Sequence, residues 1–329
     1  MKGIVGIQNV GNTCYCNSTI QLIRSCQEWS AFCITTDFTG LKESVYKNVL
    51  MAYQDIIKSL WSASTPAYVR PLGFINEIKK AVQGTVYEMF GFPIPNDSHE
   101  FLIYLLDNFH EAMKTEIPYI ENTSKEMTDM AQNGWNKFVS KNNSEVVHRF
   151  FGMMRKTICC TNCKNSTYQW EVFNSLKIPC EGTTFKEWIL NEVKEIEIGD
   201  YKCNKCNEKY AAKIYTHIWK LPKNLFITIR RFNPNGSKNM THCPYGGEDI
   251  TFSEFFAPES NDPSKSWIYE LTGISDHHGT HMGGHYNTQF KYLGEWWKID
   301  DETATQQSPQ FTSNYIFLFK YTLEKLHCM

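Results

Sequence analysis

Apolar and polar positions recur with different periods in the two halves of this chain. In NDSHEFLIYLLDNFHEAM, residues 96–113, the apolar side chains fall at the spacing that puts them on one helix face. Asn96 or Asp97 can cap that helix, and Glu100 lies in its first turn, where a carboxylate complements open N–H groups. Behind Cys14, the stretch NSTIQLIRSCQEW carries Ile20, Ile23 and Trp29 at roughly helical spacing. A helix is therefore expected to begin just after that cysteine. Residues 1 to about 115 read as mainly helical.

Residues 116–147 are polar and weakly patterned, with a short helix expected around Ser124–Phe138. From about residue 149 the pattern changes to the β-rich runs FFGMMRKTICC, STYQWEVFNSLKIP, KIYTHIWKLP and LFITIRRF. The later runs IYELTGI, YNTQFKYLGEWWKID and NYIFLFKY alternate in the same manner. Helices first and strands afterwards predict an α+β protein.

Length and composition narrow the function classes. A chain of 329 residues buries a large core, and its 42% hydrophobic content is that of a globular protein. A formal net charge of −2 supplies no global basic field for nucleic acid or an anionic membrane. No apolar run reaches the length of a membrane span, and the polar N-terminus MKGIVGIQNVGNT does not read as a signal peptide. The twelve cysteines include two C-x-x-C pairs, which is not the dense pattern of a small secreted scaffold. Of the sequons at Asn17, Asn122, Asn142, Asn165 and Asn239, the first lies three residues from Cys14. A reducing cytoplasmic or nuclear setting is expected.

Two segments carry candidate chemistry. In VGIQNVGNTCYCNSTIQ, Cys14 follows the flexible Gly11 and precedes the expected helix, and a helix N-terminus or a nearby imidazolium favours the thiolate that attacks carbonyls. The Asn9 side-chain amide is a candidate oxyanion donor. Cys16 and Cys26 read as structural. Far downstream, His285 stands between the pair Gly283–Gly284 and a strand, with Asp300 and Asp301 closing the next strand. A hairpin of those strands brings Asp300 to the imidazole as its orienting carboxylate, with Asp301 as the alternative. A metal cluster of His277, His278, His281 and His285 is the competing reading.

Cys160-Thr-Asn-Cys163 and Cys203-Asn-Lys-Cys206 have the spacing of a closed, structural zinc site on β-rich sequence. Cys159, beside Cys160, is an alternative ligand.

With these residues placed, the chain resembles the ubiquitin-specific protease family. GNTCYCNS resembles its cysteine box, NDSHEFL its Gln-Asp-Ala-His-Glu-Phe-Leu element, and LPKNLFITIRRF its strand beyond the zinc-bearing fingers. YELTGISDHHGTHMGGHY and WWKIDD resemble its histidine and acidic boxes, and NYIFLFKY its closing strand. These blocks run in family order from residue 3 to about 321. Asn96 departs from the family glutamine, and His278 from a small residue. Residues 116–147 match nothing in the pattern.

The resemblance implies the papain-like cysteine peptidase superfamily with a thumb–palm–fingers architecture, one catalytic domain over 1–329. The thumb falls at 1–115, the fingers and adjoining palm strands at 149–232, and the palm at 233–321. It implies Cys14, His285 and Asp300 as a triad, with Asn9 as oxyanion donor. Asp97 and Glu100 match positions that meet the basic tail of ubiquitin, His277 a histidine at the site's edge, and Tyr286 the tyrosine after the base. The expected activity is hydrolysis of the bond after the ubiquitin C-terminal glycine, by a monomer acting on ubiquitinated proteins, without nucleic acid or membrane. The alternatives are a peptidase for another ubiquitin-like modifier, a non-catalytic ubiquitin-binding scaffold and a zinc-ribbon nucleic-acid binder.

Overall fold

The computed structural model describes residues 3–328 except 65, 246, 248, 261–264, 281 and 312. Its N-terminal part is a helical layer of α1 (Cys14–Arg24), α2 (Gln27–Thr35), α3 (Val45–Leu60), α4 (Leu72–Val82) and α5 (Ser98–Met113), followed by α6 (Met127–Lys141) and α7 (Glu145–Phe150). A short parallel pair, β1 (Gly6–Ile7) with β2 (Tyr68–Val69), flanks the first helices. The caps explain where helices start. The Asp97 carboxylate accepts from the N–H groups of His99 and Glu100 at 2.7 and 3.0 Å, and Ser44 Oγ accepts from Lys47 at 3.1 Å.

Two sheets follow. Strands β3 (Gly152–Cys160), β4 (Ser166–Phe173), β6 (Ile196–Lys202) and β7 (Lys209–Lys220) form an antiparallel sheet in the order β4-β3-β7-β6. The larger sheet contains β5 (Leu176–Pro179), β8 (Asn224–Arg230), β10 (Lys265–Thr280), β11 (Gly283–Tyr292), β12 (Glu295–Asp300), β13 (Thr303–Gln306) and β14 (Ile316–Cys328). Its order is β13-β12-β11-β10-β14-β8-β5, with β9 (Ile250–Thr251) pairing beside β10. Helix α8 (Phe185–Val193) covers this sheet near β5.

Each expected β run contributes to a strand, although Phe150 of the first run closes α7. The helix expected at Ser124–Phe138 is displaced to Met127–Lys141, and α7 follows where none was expected. Gly134 of α6 packs on Trp170 of β4, a tertiary contact invisible to local pattern. Helix α8 was also not anticipated, although Thr184 and Glu187 form a reciprocal capping box whose spacing is a sequence signal.

The helical core gathers around Trp29, fully buried against Phe32, Phe109 and Phe150 with ring centroids 5.6–5.8 Å apart. A second core lies between the large sheet and α8, around Trp188, Ile227 and Phe319. Trp29→Ala leaves a void that this packing fills only partly. It is expected to cost about 3–5 kcal/mol of folding free energy, read as a lower denaturant midpoint.

Candidate active site

Cys14 is the first residue of α1, at the end of the turn 9–13. Gly11 takes φ +112° there, a backbone region in which a side chain would be strained. Asn9 organises the turn: its Oδ1 accepts from the N–H groups of Gly11 and Thr13, both at 3.1 Å, and from the Thr13 hydroxyl at 3.2 Å. Thr13 makes no side-chain cap hydrogen bond. The first turn of α1 therefore receives no cap from the Thr13 side chain.

β11 brings His285 to this turn from the other side of the chain. Its Nε2 lies 2.6 Å from Asp300 Oδ1, contributed by the end of the neighbouring β12. Nδ1 is left as the ring nitrogen that can face Cys14, the second group whose proximity raises His285. Cys14 Sγ also lies 3.9 Å from the carbonyl oxygen of Gly284. The hydrogen bond to Asp300, then that to Cys14, raise His285 to about 10, while Asp300 is held below the ordinary carboxylate value by His285. The His285 and Asp300 side chains are 42% and 41% exposed, so solvent screens the pair.

The neighbouring acids divide the work. Asp301 takes φ +46°, and although a carboxylate oxygen of it lies within 4.8 Å of a His285 ring nitrogen, its hydrogen bonds go elsewhere. It accepts from Asn9 Nδ2 at 2.9 Å and Asn17 Nδ2 at 2.7 Å, and its backbone carbonyl accepts from Ile7 at 2.8 Å. One N–H of the Asn9 amide is therefore engaged with Asp301, leaving the second. Glu302 accepts from the Asn9 backbone N–H at 3.0 Å.

A cleft of about 410 Å³ runs to Cys14 between the N-terminus of α5 and the β10–β11 hairpin. Asp97, Glu100, His277, Gly284 and Tyr286 line it. Asp97 spends one carboxylate oxygen on capping α5, and burial raises it above the usual carboxylate value. His277 packs against Tyr286 with ring centroids 4.5 Å apart and the rings tilted, whereas His278 packs in the same way against Tyr315 at 4.1 Å. His277, His278 and His285 form no shared ligand cluster among the described residues, and His281 lies outside those residues.

The four cysteines of the C-x-x-C pairs do converge, at the tip of the four-stranded sheet. Their sulfurs lie within 4.8 Å of one another, with Cys160–Cys206 at 3.9 Å and Cys163–Cys203 at 3.6 Å. Tetrahedral zinc–thiolate bonds require sulfurs about 3.8 Å apart, so the donor set fits a metal. Cys159 is outside the cluster, its sulfur 3.9 and 3.8 Å from the carbonyl oxygens of Cys160 and Lys164.

Because His285 is raised from its unfolded value of 6.5, the stability from its pairing is fully present below that pH and lost as pH rises through about 10. An NMR titration of the ring is expected to show a midpoint near 10 that falls toward 6.5 in Asp300→Ala. An intact protein titrating near 6.5 contradicts the pairing.

A sequence profile described as ubiquitin carboxyl-terminal hydrolase matches residues 5–319. Ubiquitin carboxyl-terminal hydrolase 2 of Rattus norvegicus is 25% identical over 345 residues, covering 98% of this chain and 54% of the relative. Ubiquitin carboxyl-terminal hydrolase 5 of Saccharomyces cerevisiae is 23% identical over 362 residues, covering 97% and 44%. The chain thus spans about half the length of these relatives. Among solved structures, the SAGA DUB module of Ubp8, Sgf11, Sus1 and Sgf73 bound to monoubiquitin aligns with a TM-score of 0.78 at 20% identity, over 99% of this chain and 70% of that one. The same module bound to ubiquitin aldehyde gives 0.75 at 22% identity, over 99% and 70%. These likenesses show the fold, with the helical layer as thumb, the large sheet as palm and the four-stranded sheet as fingers. The match across residues 5–319 shows that this chain belongs to the ubiquitin carboxyl-terminal hydrolase family.

Proposed function

We propose that this chain is a cysteine-type deubiquitinase that hydrolyses the bond between the C-terminal glycine of ubiquitin and a substrate lysine or following residue. The observation that carries the reading is the His285–Asp300 pair beside Cys14, whose sulfur lies against the Gly284 carbonyl, at the end of a cleft that Asp97 and Glu100 line. The Cys14 thiolate attacks the glycine carbonyl carbon, and the electron pair moves onto the carbonyl oxygen. The N–H of Cys14 and the second N–H of Asn9 stabilise that oxyanion. His285, with Asp300 holding its tautomer, gives its proton to the leaving amine as the carbon–nitrogen bond breaks. Water activated by the now neutral His285 then attacks the thioester, returning the carboxylate and the free thiol.

Asp97 and Glu100 supply negative charge where a basic tail enters, and Tyr286 packs beneath it. Cys160, Cys163, Cys203 and Cys206 would hold a structural zinc, with no open coordination position for catalysis. The reading places a monomer in the reducing cytoplasm or nucleus, consistent with free cysteines such as the buried Cys16, Cys26 and Cys33. No described helix is long and apolar enough to cross a membrane.

A ubiquitin probe with a C-terminal electrophile is expected to form a covalent adduct that disappears in Cys14→Ala. His285→Ala is expected to slow hydrolysis of a fluorogenic ubiquitin amide by about 10²-fold or more. Reversible binding without an adduct would instead identify a scaffold, and adducts only with other modifiers would move the substrate class.

Metal analysis is expected to find about one zinc per chain. Cys203→Ser should lose it and melt at lower temperature, whereas Cys159→Ser should keep it. Unchanged zinc content in Cys203→Ser would contradict the four-thiolate site.

A further inference from the structure

Lys238 is a cation with an unusual set of partners. It lies on the segment that leaves the palm sheet after β8, where Phe232 and Lys238 face each other across an isolated β-bridge. The segment is pinned from below by Arg231, which is fully buried and donates to the carbonyl oxygens of Asn239 and Thr241 at 3.0 and 2.9 Å. Among the described residues no carboxylate forms an ion pair with Lys238. Its Nζ instead donates to the backbone carbonyl of His277 and meets His277 Nδ1 at 3.1 Å. Burial lowers the Lys238 ammonium to about 8, the cost of drawing a cation toward the interior.

That contact decides the state of the His277 ring. A lysine ammonium has donors and no acceptor, so Nδ1 must accept and the ring proton must sit on Nε2. Burial first, and then the neighbouring ammonium, lower His277 to about 4, so the ring stays neutral. Packing against Tyr286 and Phe232, with centroids 4.5 and 5.6 Å away, fixes the ring plane. Among the described residues Nε2 has no hydrogen-bond acceptor. A methyl group on Gly284 would lie 2.4 Å from that nitrogen, so the glycine leaves the Nε2–H open to the cleft.

We propose that Lys238 is a positioning residue that locks His277 as a neutral Nε2–H donor on the cleft floor, where it binds a backbone carbonyl of the extended C-terminal tail of the substrate. The donor recognises a peptide carbonyl rather than a side chain, which suits a tail too narrow to offer side chains beside the nucleophile. Lys238 is not among the residues that line the cleft, so it acts through His277. This assignment rests on the proposed activity for its substrate, but the tautomer does not.

The test compares the intact protein with Lys238→Met and Lys238→Arg, in two measurements. In the free protein, imidazole ¹⁵N shifts of His277 at neutral pH are expected to show a bare Nδ1 and a protonated Nε2. Lys238→Met should convert these to a tautomer mixture, and Lys238→Arg should restore them. With a fluorogenic ubiquitin C-terminal amide, Lys238→Met should raise KM about 3- to 10-fold, the worth of one hydrogen bond, and change kcat by less than about twofold. Lys238→Arg should recover most of the loss. A protonated Nδ1 in the intact protein, or ¹⁵N shifts and KM unmoved in Lys238→Met, overturns the proposal. If the intact protein fails to hydrolyse the amide, the activity falls, and the nitrogen shifts alone decide whether Lys238 sets the tautomer.

Discussion

The seating of α1 on the palm sheet is the constraint on which the rest of the site depends. Ser18 is almost wholly buried, with its hydroxyl 2.7 Å from both Ser275 Oγ on β10 and Thr288 Oγ1 on β11. Thr288 also donates to the Ser18 carbonyl at 3.0 Å. The next residue, Thr19, donates its hydroxyl to the carbonyl of Ser98, the first residue of α5, at 3.0 Å. Helix α1 therefore bonds to both walls of the cleft at once, and these bonds are strong because water is excluded from them. Cys14 lies one turn before that anchor, so its distance from His285 is inherited from packing rather than set by a loop.

The acidic end of β12 shows how two adjacent carboxylates take different tasks. Asp300 stays on the strand and meets the imidazole. Asp301, in a left-handed backbone conformation, bonds to the turn before Cys14 and gathers Asn9, Asn17 and the end of β1. The result is a closed circuit in which the end of β12 orients His285 and also holds the turn that precedes Cys14. Electrostatics and geometry thus reinforce each other, since the carboxylate that raises His285 belongs to the element that fixes Cys14.

Much of this was legible in the sequence because it is encoded locally. Cys14 sits between a flexible turn and a helix pattern, the two C-x-x-C pairs state their geometry in their spacing, and α5 shows its cap and its apolar stripe. Asp300 and Asp301 were not separable, because the difference between them is one backbone dihedral. Cys159 and Cys160 were likewise inseparable, since alternation along β3 decides which sulfur points inward. Helix α6 begins and ends three residues later than expected, and its packing against Trp170 is a long-range contact that local pattern does not carry. Lys238 gave no signal, for its partner His277 is distant in the chain and the contact depends on the return of β10 beside β14.

The central claim is that a narrow peptide tail is threaded between the start of α5 and the β10–β11 hairpin and delivered to one sulfur. A crystal structure of the protein trapped with a C-terminally electrophilic ubiquitin tests this directly. The account predicts a single covalent bond from Cys14 Sγ to the terminal glycine carbon, with the preceding residues lying over Gly284 and alongside Asp97 and Glu100. A bond to another cysteine, or a tail leaving the cleft before it reaches Gly284, would contradict it.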